Sequence, residues 1–225
     1  MAVVKPSALG TPSGRLGNIV VYEVKGQVRM RLLPADYKDP KSPAQVAQRG
    51  RVKGVAALYR SLQFPLRDFW KKLAEGTMLN GYNLFLKANI ANVAGDGNVA
   101  DWKKVVLCDG TLRLPEGVKV EEREGGEVVV EWDARTKDWR EMKEVMQVAI
   151  YGLRKTCKTP QVWVDVAGGA EWREGRMVWK MPAEARGKCR AYGFFREPYG
   201  GAVSRSFYIG EFEGKEAGEG NGTKA

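Results

Sequence analysis

The sequence predicts an α+β chain. A β-hairpin and three short helices occupy residues 1–100, an antiparallel β-sandwich occupies 101–212, and a disordered tail covers 213–225. Three observations carry this. Apolar residues alternate with period two over 18–33 and again after residue 101. Between 42 and 95 they recur with helical spacing instead. The final stretch, "EGKEAGEGNGTKA", is Gly/Glu-rich and too polar to build a core.

The elements follow in order. "SALGTPSGRLG" is rich in glycine and serine and reads as a mobile or extended arm. In "NIVVYEVKGQVRMRLL", Val20, Tyr22 and Val24 alternate with Val21 and Glu23. Across Lys25-Gly26, Val28, Met30 and Leu32 alternate with Arg29 and Arg31, the pattern of a hairpin with a two-residue turn. A lone hairpin is marginal in water, so it should pack on something or pair with a partner's strand.

Ser42 then reads as an N-cap, with Pro43 at the first helical position and Gln45 completing a capping box. Val52, Val55, Leu58, Tyr59 and Leu62 share one face of this helix, with Arg49, Lys53 and Arg60 opposite. Gly50, Gly54, Ala57 and Ser61 form a strip of small residues. Each glycine costs a helix about 1 kcal/mol relative to alanine, so close approach of another backbone is the expected compensation. A second helix starts at Pro65, with Leu66, Phe69, Trp70 and Leu73 on one side and Gly76 at its end. A third follows Asn80 and lines up Tyr82, Phe85, Leu86, Asn89, Ile90 and Val93, closing at Gly95 and Asp96-Gly97. Together they would make a small bundle, with the hairpin laid against it.

Eight strands are expected after Asp101: "KKVVLCD", "GVKVEERE", "EVVVEWDA", "VMQVAIYGLRK", "QVWVDVAG", "RMVWKMP", "KCRAYGFFRE" and "SRSFYIGEF". Gly125-Gly126, Gly168-Gly169 and Gly200-Gly201 are expected turns. "RTKDWREMKE" reads as a loop or helical turn. Short strands at this rhythm indicate an immunoglobulin- or fibronectin-like sandwich.

Composition narrows the chemistry. The chain has 225 residues and no histidine. That removes imidazole acid–base catalysis, Ser-His-Asp and Cys-His nucleophile activation, and His-containing zinc sites. Cys108, Cys157 and Cys189 are odd in number and widely spaced, which fits buried or half-buried thiols and no disulfide framework. No phosphate-binding loop, dinucleotide fingerprint or nucleophile elbow is present. "EEREGGE" lacks calcium-loop spacing and reads as a charged hairpin tip. No catalytic residue, metal ligand or cofactor is therefore assigned. The opening apolar run stops at Lys5-Pro6, too short for an export signal, and no stretch is long enough for a membrane helix. A cytoplasmic protein without membrane insertion is expected.

Charge is uneven. Residues 1–100 hold 15 Lys+Arg against 6 Asp+Glu, a net of +9, while 101–225 carry a net of +1. Arg29, Arg31, Lys41, Arg49, Lys53 and Arg60, extended by Arg15, are candidates for contact with a polyanion. The competing reading is a solvated helix face. Gly50, Gly54, Ala57 and Ser61 are the candidate association surface. Trp163, Trp172, Trp179, Tyr192, Phe194, Phe195 and Tyr199 are either a ligand-stacking platform or sandwich core.

Two resemblances add to this. "NGYNLFLKANI" resembles the "YNLF" opening of HMG boxes, which would imply DNA binding. There the motif begins the module, whereas here it ends the helical segment. "SGRLGNIVVYEVKGQVRMRLLPADYKDPKSPAQVAQRGRVKGVAAL", followed by "DFWKK" and "GYNLFLKANI", resembles a bacterial family of unknown function, with members often from gut Bacteroidetes. Those proteins share S-G-[KR]-x-G-N, then R-x-x-P, then a P-T/S-x-A-Q-x-x-Q-R helix, then G-[FY]-N. The resemblance covers most of residues 10–212. A similar hairpin and helix occur in phage and prophage proteins encoded near structural genes. It implies the same architecture and no catalytic residues.

The expected function is non-enzymatic: a structural or adaptor protein of phage-like origin that mediates protein–protein association or self-association. In this reading the hairpin edge and the small-residue strip mediate contact. Nucleic acid is the second candidate partner, through the basic segment. A ligand- or carbohydrate-binding sandwich is the third reading, recognisable by an aromatic-lined cleft.

Overall fold

The computed structural model describes residues 2–4, 13–34, 39–123, 127–135, 143–198 and 201–214. The chain divides into two compact units, Met1–Gln45 and Val46–Ala225. Among the described residues the architecture is mixed: three helices and antiparallel sheets, with no closed barrel.

The first unit is a four-stranded antiparallel sheet in the order β1-β4-β3-β2. Its strands are β1 (Ala2–Val4), β2 (Gly14–Leu16), β3 (Ile19–Val24) and β4 (Gln27–Leu32). β3 and β4 are the expected hairpin, Val24 opposite Gln27. Lys25 and Gly26 both take positive φ, +48° and +76°, as a two-residue turn that matches strand twist demands. The hairpin is not alone, however. Val20 pairs with Arg15 of β2, and Met30 with Ala2 of β1. Residues 14–16 are thus a strand within the stretch expected to be an arm, and residues 2–4 form a further strand; residues 5–12 lie outside the described residues. Both flanks of the hairpin find backbone partners within the chain, which corrects the expectation of an open hairpin edge.

The second unit begins within α1 (Pro43–Ser61), followed by α2 (Leu66–Leu73) and α3 (Gly81–Asn89). The expected capping box at the start of α1 is present: Gln45 N–H donates to Ser42 Oγ at 3.4 Å, and Ser42 N–H to Gln45 Oε1 at 3.2 Å. Asn80 caps α3 by accepting from Asn83 N–H at 2.8 Å. The third helix ends at Asn89, earlier than its apolar spacing predicts, and passes into a 3-10 turn over Ile90–Asn92.

Seven strands follow. β7 (Val145–Arg154), β8 (Gln161–Glu171), β10 (Ala185–Arg196) and β11 (Phe207–Gly214) form a sheet in the order β11-β10-β7-β8. β5 (Lys119–Arg123), β6 (Glu127–Glu131) and β9 (Arg176–Lys180) form a second, in the order β5-β6-β9. The flanks of "EEREGGE" pair as a hairpin, Arg123 opposite Glu127. Gly125-Gly126, Gly200, residues 136–142 of the expected insert and 215–225 of the expected tail lie outside the described residues.

The four-stranded sheet is buried on both faces, which period two makes explicit. Met146, Val148 and Ile150 of β7 join a cluster with Val128 and Val130 of β6 and Met177 and Trp179 of β9. Ala149, between them, joins a different cluster with Val55, Leu58 and Leu62 of α1, Trp70 of α2 and Phe85 of α3. Along β10 the same switch separates Ala191 and Phe195 from Tyr192 and Phe194. Because both faces are covered, these strands read as near-continuous apolar runs.

This packing relocates the expected domain boundary. The helices do not close into a bundle of their own; they share a core with the strands that follow residue 100. The division falls at 45/46 instead. An amphipathic helix must bury its apolar stripe, and here the outer face of β7 and β10 supplies the surface.

Two further expectations change. Val105–Cys108 is not a strand. It is buried throughout and bends at Leu107, and side chains meet its backbone: Leu107 N–H donates to Ser206 Oγ at 2.9 Å, and Trp70 Nε1–H to Leu107 O at 2.8 Å. Gly168-Gly169 is not a turn. It lies inside β8, where residues 166–169 oppose Gln147 between the pairs Asp165–Val148 and Ala170–Met146. Such an excess on one strand is a bulge, a position that suits glycine.

All three cysteines are free; Cys108 and Cys189 are buried and Cys157 half-buried. Among the described residues no helix is long and apolar enough to cross a membrane.

Candidate functional site

The sheet of the first unit has two unlike faces. Arg15, Val20 and Arg31 stand opposite one another on adjacent strands. The next same-face row along the hairpin pairs Tyr22 with Arg29. Three of the candidate arginines therefore share one face, and Glu23 lies on the other by alternation. On that other face, Leu16, Ile19 and Leu32 form a row across β2, β3 and β4. Leu16 is 77% exposed and Leu32 72%. Lys41 lies after the sheet, in an exposed turn with its N–H on Asp39 Oδ1 at 3.3 Å.

In the second unit, Arg49, Lys53 and Arg60 are exposed along α1, a helix with no acidic residue. Arg60 Nε–H donates to Ala56 O at 3.3 Å, back along its own helix. Its carbonyl accepts from Arg67 Nη2–H at 2.8 Å, while the Arg67 guanidinium lies 5.6 Å from the Tyr59 ring centre.

The strip of small residues does admit a close backbone, and that backbone is the chain's own. A Cβ on Gly50 would overlap the Gly95 carbonyl, and one on Gly54 the Gly97 carbonyl. The loop fits because it is itself small and tightly turned. Gly97 takes φ +93°, its N–H donates to Ala94 O at 3.0 Å, and Asn98 N–H donates to Asp96 Oδ1 at 2.9 Å. Gly50 and Gly54 are thus occupied within the second unit, a correction to their assignment as an association surface.

Ala57 and Ser61, further along the strip, line a cleft of about 460 Å³ in the second unit. Arg60, Gln63, Asn98 and Gln161 also line it, together with Trp102 and Tyr151. Their rings lie 4.5 Å apart at 37°. The Arg190 guanidinium packs 4.2 Å from the Trp102 ring centre and pairs with Glu211 at 2.8 Å. Tyr192 Oη–H donates to Trp102 O at 2.8 Å. Burial pushes the phenols of Tyr151 and Tyr192 up from their ordinary value, so both remain neutral donors.

The cleft's wall is not the aromatic set the sequence singled out. Trp163, Trp172, Trp179, Tyr192, Phe194 and Phe195 are buried in the core, as strand aromatics usually are. Tyr199 lies outside the described residues. Trp102 was missed because it follows Asp101, whose side chain caps a 3-10 turn by accepting from Lys103 N–H at 3.0 Å. An isolated aromatic in a loop carries no periodic signal.

A family model described as "Family of unknown function (DUF6266)" matches residues 11–210. The chain belongs to this family. The DUF6266 match spans both units, from just before β2 to within β11; β2, β3, β4, the three helices and β5 to β10 fall inside it, and β1 lies before it. No curated protein matches the chain.

Proposed function

We propose that this DUF6266 protein is a non-enzymatic structural or adaptor protein that works by associating with protein, its own copies included. The observation that carries this reading is the row Leu16–Ile19–Leu32. Two leucines at 77% and 72% exposure, side by side on one sheet face, are what a contact surface presents before it is covered. Two supports are associational. The later strands divide into two antiparallel sheets, first, second and fifth in one and third, fourth, sixth and seventh in the other, which supports a fibronectin-like sandwich, an architecture shared by many cell-surface domains. The resemblance of the hairpin and helix to phage and prophage proteins favours an assembly role of that origin.

Sedimentation velocity over a range of concentrations tests this. Association that the double variant Leu16→Asp, Leu32→Asp abolishes supports the reading. A protein that stays monomeric and indifferent to the change, with no partner retained by the wild type over the variant, ends it.

A second reading has its own observation. Arg15, Arg29 and Arg31 share a face with Tyr22, and α1 carries cations without an acid, a pattern suited to phosphates. A gel shift at two salt concentrations decides it. Binding should fall with a logarithmic slope of about −0.9 per phosphate neutralised, and Arg29→Glu with Arg31→Glu should reduce it.

A further inference from the structure

We propose that the cleft beside the C-terminal half of α1 binds a small hydroxylated ring bearing one negative charge, the chemistry of an acidic monosaccharide unit. Its volume, about 460 Å³, is within the range of small-molecule sites. Among the described residues its lining contains one cation, Arg60, and no carboxylate. Arg60 has no ion-pair partner among the described residues, and its one side-chain hydrogen bond, from Nε to Ala56 O, leaves both terminal nitrogens to donate. A guanidinium held this way favours an anion, and a carboxylate can take two of its donors at once.

The remaining polar groups choose hydroxyls over a bare ion. The carboxamides of Gln63 and Gln161 hold no protein hydrogen bond among the described residues, so each offers both a donor and an acceptor. Asn98 already donates to Asp96 Oδ2 at 2.8 Å, and its Oδ1 keeps its capacity to accept. Ser61 Oγ donates to Leu58 O at 2.7 Å and likewise keeps its lone pairs. Hydroxyl groups both donate and accept, so they match this mixture better than an inorganic anion does. The Tyr151 and Trp102 wall supplies an apolar surface for the ring's C–H edges. Both side chains are held in place by their mutual stacking, and Trp102 also by Arg190. The main-chain frame is fixed too: Gln63 N–H donates to Val162 O at 2.8 Å, tying the end of α1 to β8. Little ordering is left for a ligand to impose.

The test is titration of the full chain, labelled with nitrogen-15, with glucuronate, glucose and acetate as separate probes. Glucuronate should shift the amides of Ala57, Ser61 and Gln161 saturably, with weaker effects from glucose and from acetate. Arg60→Gln should weaken glucuronate about tenfold or more while leaving the rest of the spectrum in place. Ala57→Leu, at an exposed helix position, should block the cleft without unfolding the protein. No saturable shift with glucuronate overturns the proposal. So does acetate matching glucuronate, which would mark a simple anion contact, or an Arg60→Gln variant that binds as the wild type does.

Discussion

The side chain of Asn89 pairs in both directions with the backbone of Val106. Its Nδ2–H donates to Val106 O at 2.9 Å, and its Oδ1 accepts from Val106 N–H at 2.8 Å. Asn89 is fully buried at the end of α3, and Val106 lies in the buried segment that no strand pairs among the described residues. The carboxamide therefore does for one residue what a neighbouring strand does for many.

Replacing Asn89 with leucine should leave a buried N–H and a buried C=O without partners. Each such group costs about 1–3 kcal/mol, so a loss of about 2–6 kcal/mol is expected in urea unfolding. Asn89→Asp loses the donor and, when ionised, buries a carboxylate against the Phe85 and Val106 carbonyls, so it should be at least as destabilising as leucine near neutral pH. A leucine variant as stable as the wild type would show that the segment repacks.

Gly54 tests what the small-residue strip is for. Alanine in a helix should gain about 1 kcal/mol over glycine. At this site its Cβ meets the Gly97 carbonyl and the Val93 side chain, neither of which is the loose end of a flexible chain. Overpacking of that kind costs about 1–3 kcal/mol or more, so Gly54→Ala should lower the unfolding midpoint despite its better propensity. The concentration dependence of the protein's mass should not change, because the contact is within one chain.

How far the sequence reveals the fold depends on whether a residue's partner lies in a repeating pattern. β7 and β10 are readable because each second residue meets the same layer, and the hairpin because Lys25-Gly26 is a recognisable turn. Val105–Cys108 has the same apolar character as a strand, but its partners are Asn89, Trp70 and Ser206, single residues scattered over the chain. Periodicity does not register such partners. Gly50 and Gly54 announce a close backbone approach without saying whose backbone it is. The cleft was least visible: Trp102, Tyr151, Gln63 and Gln161 come from four separate segments and share no spacing.

Alkaline pH should loosen the second unit. Burial raises the Cys108 thiol above its ordinary 9.0 and the Tyr192 phenol above its ordinary 10.0. Both groups stay protonated in the folded chain at pH values where the unfolded chain has lost the proton. Their stabilising preference is complete below the unfolded value and declines as pH rises beyond it. Stability should therefore fall from about pH 9 upward, by about 1.4 kcal/mol per pH unit for each group engaged. Urea midpoints at successive pH values measure this, and Cys108→Ala should remove the part that begins first. A flat profile between pH 9 and 11 would mean that neither group remains buried there.

The turn between β3 and β4 offers a gain in stability. Lys25 takes φ +48°, a left-handed conformation that costs a side-chain-bearing residue about 1–2 kcal/mol and asparagine less. Asn-Gly is the preferred pair for a two-residue turn of this hand. Lys25→Asn should therefore stabilise the first unit's sheet by about 0.5–1 kcal/mol, a smaller gain than the full penalty because asparagine also pays part of it. Gly26→Ala, at φ +76°, should weaken the same sheet. Amide exchange reads both effects locally. Protection at Val24, Val28 and Met30 should rise in the first variant and fall in the second, while β7 and β10 hold their wild-type rates. Equal protection in all three proteins would place the stability of that sheet outside its central turn.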